Sequence, residues 1–142
     1  MMLTMIAAAA AAACQPGAAD NKRIVESFYR QALVDKQPKA AFETWVAPDF
    51  IEHKPDVAMP TRDAVSGFLT GLVTDMPEAK WEIVRSIADG DLVALHVRFT
   101  PAPGAPAYAI VDIFRVADCK VVEHWDVVAG PVEPQANPNS RF

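Results

Sequence analysis

"KWEIVRSIADGDLVALHVRFTP" occupies residues 80–101, and its period of two decides the fold class. Apolar and polar side chains alternate on both sides of Asp89-Gly90, the strongest short signal for a hairpin. The pattern predicts strands over 80–88 and 91–100. A second pair follows in "APAYAIVDIFRVADCKVVEHWDVV", with strands near 106–117 and 120–129 joined at Asp118-Cys119. Glycine would suit the second position of that turn better, because positive φ is easy only without a Cβ.

Upstream the period changes to 3.6. Ile24, Phe28, Gln31 and Ala32 follow one stripe, with Val25, Tyr29 and Leu33 beside it, and Asp20 stands where an N-cap belongs. "DKQP" at 35–38 ends this helix, since a residue before proline avoids the helical region. A second helix, "KAAFETWVA", carries Phe42, Trp45 and Val46 to a core. "PDFIEHKPD" (48–56) reads as an extended connection that delivers His53. A third helix starts after Thr61, shows Val65, Phe68, Leu69 and Leu72 on one face, and stops before Pro77. Three helices before an antiparallel meander make an α+β plan, with the helices on one face of a strongly bent sheet.

The 142 residues suffice for one core, and a net charge of −5 without a Lys/Arg cluster argues against a nucleic-acid partner. No glycine loop of the nucleotide-binding kind is present. The opening "MMLTMIAAAAAAACQPGAAD" is set apart as a leader and leash over residues 1–20, leaving one domain over 21–142. Its apolar run is too short to cross a bilayer and fits a secretory signal. It resembles a bacterial lipoprotein signal, which implies lipidation at Cys14, a periplasmic location and membrane contact only through that anchor. If the leader is not a signal, the location becomes cytoplasmic. Cys119 is the second cysteine; a bridge between it and Cys14 would tie a flexible leader to a turn and is not expected. Two distant cysteines make no zinc site.

The strands carry ionisable groups among apolar neighbours. Strand alternation places Tyr108, Ile110, Asp112 and Phe114 on one face, and Val122, His124, Asp126 and Val128 on one face of the next strand. His96 sits mid-strand with Ala94 and Arg98. Such groups cost free energy when buried unless they find partners. The expected arrangement points His96, Asp112, His124 and Asp126 into a single cavity between sheet and helices. For any one of them, a structural ion pair is the competing reading.

"FIEHKP", "DGDLVALHVRFTP", "AIVDIFRVADCKVVEHWDVV" and "NPNSRF" resemble the SnoaL-like branch of the nuclear transport factor 2-like superfamily, over about residues 22–142. The resemblance implies a cone of bent sheet and helices around a deep pocket. It also implies chemistry alpha to a carbonyl on a small apolar ligand, as in cyclases, isomerases and dehydratases, with no metal or organic cofactor. Asp126 or Asp112 would be the base, with His124 and His96 orienting it or donating to an oxyanion. His53, Phe50, Trp45, Tyr29 and Phe114 would bind substrate. Glu52 and Lys54 replace the family's usual Gln and Asn, and Phe50 its frequent Tyr, so a charged pair is expected at the pocket mouth. The alternative is a non-catalytic binding or dimerisation module. A homodimer through the outer sheet face, with Trp125 and Phe99 on it, is expected in either case.

Overall fold

The computed structural model describes residues 14–142, and the signal-like run before Cys14 lies outside the described residues. The elements follow in the order α1 (Ala18–Tyr29), a π-helical turn (Arg30–Val34), α2 (Pro38–Trp45), β1 (Val46–Glu52), α3 (Arg62–Asp75), β2 (Lys80–Asp89), β3 (Leu92–Thr100), β4 (Tyr108–Ala117) and β5 (Lys120–Ala129). The sheet order is β1-β5-β4-β3-β2. Four strands form the expected antiparallel meander. The fifth, β1, pairs in parallel with β5, so the sheet is mixed and the stretch 46–52 is a strand rather than a connection.

Local chemistry explains the boundaries. The Thr61 side chain accepts the Ala64 N–H and caps α3, as its position predicts. Helix α1 starts earlier than expected, at Ala18. Asp20 therefore lies in its first turn, where its carboxylate accepts the Gln15 N–H at 2.7 Å and favours the positive helix end. Gly90 closes the β2–β3 turn at φ +58°, and Asn21 of α1 donates to its carbonyl, tying helix to hairpin. The β4–β5 turn holds Asp118 and Cys119 at φ +47° and +62°, a backbone region that costs a side-chain-bearing residue free energy.

Cys119 stands there because it is bonded. Cys14 and Cys119 form a disulfide with their Cα atoms 6.0 Å apart, which overturns the expectation that the two stay separate. Both cysteines pack against the core. The bond holds the start of the described segment against the β4–β5 turn.

The helices pack on one face of the sheet, α1 running across β2, β3, β4 and β5. Ile24, Val25, Phe28 and Ala32 meet Val93, Leu95, Val97, Val116 and Val121 there. Each buried Ile, Val, Leu or Phe side chain there stabilises the fold by roughly 1.5–3 kcal/mol. Register shifts interrupt β2 between Ile83 and Arg85, and the β4–β5 ladder between Arg115 and Val116. Bulges of this kind bend a strand and increase its twist.

Candidate active site

Register alone brings the polar groups together. In the parallel ladder Glu52 stands beside His124, and in the antiparallel one Asp112 stands directly opposite Asp126 and Phe114 opposite His124. Two carboxylates facing each other across a ladder repel, so each needs a cation. Asp112 Oδ1 is 3.0 Å from His124 Nε2, and Asp112 Oδ2 accepts the Tyr29 hydroxyl at 3.0 Å. On its other side His124 Nδ1 is 2.7 Å from Glu52 Oε1. A buried chain Glu52–His124–Asp112–Tyr29 results, with Phe114 stacked on the imidazole. Asp126 takes a different partner, the Lys54 ammonium, which donates to its Oδ2 at 2.5 Å.

These groups face a cavity of about 360 Å³. Its remaining wall is apolar, with Phe28, Phe42, Phe50, Leu69, Trp81 and Ile110 among the contributors. Size and lining suit a small, largely apolar ligand. Among the described residues no cluster of His, Cys, Asp or Glu is arranged to hold a metal ion. No described helix is long and apolar enough to cross a membrane.

The environment fixes the proton states. Burial pushes the His124 imidazole toward neutrality, but its hydrogen bonds to Asp112 and Glu52, and their charges, raise its pKa to about 9. His124 is therefore an imidazolium at neutral pH, and both its N–H groups are committed to carboxylates. Burial, then the charge and hydrogen bond of Asp112, hold the Tyr29 phenol well above its usual range, so it stays a neutral donor. For Lys54 burial opposes the charge, and the hydrogen bond and charge of Asp126 outweigh it, raising the pKa.

A stability prediction follows from His124. Its folded pKa of about 9 exceeds the ordinary value of 6.5. The resulting stabilisation is full below pH 6.5 and is lost as pH rises through about 9. The shift corresponds to an order of 3 kcal/mol. Urea unfolding from pH 6 to 10 is expected to show this decline, and His124→Gln is expected to abolish its slope.

Of the expected site residues, Asp112, His124, Asp126, Tyr29, Phe50 and Phe114 line the cavity. His96, His53 and Trp45 do not. On β3 the inward positions are Val93, Leu95 and Val97, so His96 projects outward. There its Nδ1 lies 2.7 Å from Arg85 Nη1 and its ring stacks on Phe142. Partial burial and the positive charges of Arg85 and Arg141 lower its pKa. His53 stacks on Trp125 at 4.8 Å and bonds Glu123, outside the cavity. Trp45 donates its indole N–H to Gln31 at 2.8 Å, fixing the π turn to α2. Phe99, expected on the outer face, lines the cavity and stacks on Trp81 instead.

Glu52 and Lys54, expected as a charged pair at the pocket mouth, do not pair with each other: Glu52 is buried against His124 and Lys54 bonds Asp126, places that sequence reading missed. The signal was present: with 46–52 taken as a strand, alternation buries Phe50 and Glu52 and turns Ile51 and His53 outward.

Residues 25–124 match the family model described as the SnoaL-like domain. No curated protein matches the chain in sequence. Among solved structures it is similar to IdmH of Streptomyces antibioticus, provisionally a polyketide cyclase, at 20% identity and TM-score 0.64 over 76% of this chain and 91% of that one. A provisional ketosteroid isomerase of Kribbella flavida DSM 17836 superposes at 19% identity and TM-score 0.67, over 86% and 87% of the two chains. An NTF2-like protein of unknown function from Mesorhizobium loti gives 19% and 0.64, over 78% and 91%. At these identities the likeness is one of fold.

Proposed function

Because the chain belongs to the SnoaL-like domain family, we propose that it is an enzyme that moves a proton alpha to a carbonyl in a small apolar substrate. The reading covers enolisation-driven cyclisation, isomerisation or dehydration. The observation that carries it is the unequal treatment of two facing carboxylates. Asp112 has both oxygens occupied by His124 and Tyr29, whereas Asp126 lines the cavity with Oδ1 accepting from none of the described residues. Asp112 is thereby a structural acceptor, while Asp126 keeps an oxygen available to a ligand in the cavity. Asp126 is the base. His124, with no N–H to spare, holds Asp112 and Glu52 in place and supplies a fixed positive charge beneath the cavity.

The disulfide supports a location in an oxidising compartment, since such bridges persist there. Proton exchange tests the chemistry without knowledge of the product. Small cyclic ketones and β-dicarbonyl compounds, incubated with the protein in D2O, are expected to lose alpha-proton NMR signal faster than in buffer. If no compound in the panel exchanges faster, the cavity is a binding site only.

A further inference from the structure

Abstraction of an alpha proton leaves negative charge on the carbonyl oxygen, and some donor must meet it. The obvious candidates are already engaged: both His124 N–H groups point to carboxylates, and the Tyr29 hydroxyl is held by Asp112. Lys54 is different. Its side chain is 19% exposed, it lines the cavity, and its ammonium has three N–H donors. One goes to Asp126 at 2.5 Å; a second reaches Asp56, itself 70% exposed, at 3.4 Å. That outer pair is worth little. Tyr108 and Trp81 also line the cavity, but as neutral donors.

We propose that Lys54 is the oxyanion-stabilising catalytic residue, and that its ammonium passes from Asp126 to the enolate oxygen during the reaction. The inference rests on the enzymatic reading above. In the step, the substrate C–H bond breaks and its proton forms an O–H bond on Asp126. The electron pair of that C–H bond forms the new C=C bond, and the carbonyl π pair moves onto oxygen. Asp126 becomes neutral as the enolate becomes charged. The cation loses one anionic partner and gains another at the same moment, so it is never left unpaired in an apolar wall. An interaction that appears only as charge develops lowers the barrier rather than merely tightening binding.

The same geometry names the ligand class: compounds whose reacting oxygen acquires full negative charge, with an apolar body for the aromatic wall. A phenol imitates that oxygen without reacting. The probe is 4-nitrophenol, whose absorbance reports ionisation. Bound to the wild-type protein, its apparent pKa is expected to fall by about 1–2 units, the effect of a cation at contact distance. Asp126→Asn is expected to tighten phenolate binding by freeing the ammonium. Lys54→Met, and Lys54→Gln as a variant that keeps a donor without charge, are expected to abolish the shift. Both are also expected to lower alpha-proton exchange by about 10²- to 10³-fold. A shift that survives in folded Lys54→Gln, or that disappears in Tyr108→Phe instead, overturns the assignment. Exchange that is absent on every carbonyl while the phenolate shift persists sinks the enzymatic reading alone. Exchange that persists without the shift sinks the role of Lys54 alone.

Discussion

Asp126→Asn is expected to reduce the rate of alpha-proton exchange by about 10²- to 10⁴-fold, the contribution of a positioned general base. The fold should survive it. Asp126 is paired with a lysine that lines the cavity and is part-exposed, so the ammonium released from the ion pair keeps access to water and to Asp56. Asp112→Asn is expected to behave in the opposite way. Asp112 is buried beneath Tyr29 and holds one side of the His124 imidazolium. Losing its charge leaves a buried cation with one carboxylate instead of two, a change that costs several kcal/mol when a buried pair is broken. Exchange kinetics and denaturant midpoints on the two variants separate the roles. A rate lost only in Asp112→Asn would exchange the identities of base and support, and equal rates in the two variants would overturn the assignment of Asp126 as the base.

Removal of the disulfide is expected to give the largest loss of stability. Cys14 and Cys119 are separated by 105 positions, and closing a loop of that size lowers the entropy of the unfolded chain by about 4–5 kcal/mol in the chain-entropy model. The Cys119 backbone carries an opposing cost, since its φ of +62° suits glycine. Cys119→Gly is therefore expected to destabilise less than Cys119→Ser, by about 1 kcal/mol, although neither variant has the bridge. Urea unfolding with and without reductant checks this: the wild type should respond to reductant and the variants should not. A wild-type midpoint indifferent to reductant would show that the bridge contributes nothing.

The sheet was legible in the sequence because alternation is a strong signal where one face is buried. The hairpin turn at Asp118-Cys119 falls where the period predicts, the β2–β3 turn falls one residue later than expected, at Gly90-Asp91, and the helices stop near their prolines. Within the site, the inward phase of β4 and β5 followed from the same alternation, which placed Asp112, His124 and Asp126 together. His96 failed for a simple reason. Its polarity invited a place in the cavity, while the fully buried Val93, Leu95 and Val97 on the same strand required the opposite face. Residues 46–52 were harder to read, because Pro48 and Pro55 frame a short segment whose partner, β5, lies far away in sequence and runs parallel to it. Without that pairing neither Glu52 nor Lys54 could be placed. The bridge was hidden by the same kind of distance: composition marks Cys14 as leader, and only the path of the chain brings it to the last hairpin.

That bridge also turns residues 14–119 into a covalent ring, with the segment before the first helix and the last turn as its clasp. A protease that nicks the exposed loop between β3 and β4 would release nothing, since both pieces remain joined through sulfur. Resistance to fragmentation in such a molecule is a property of its connectivity, separate from how tightly its interior is packed.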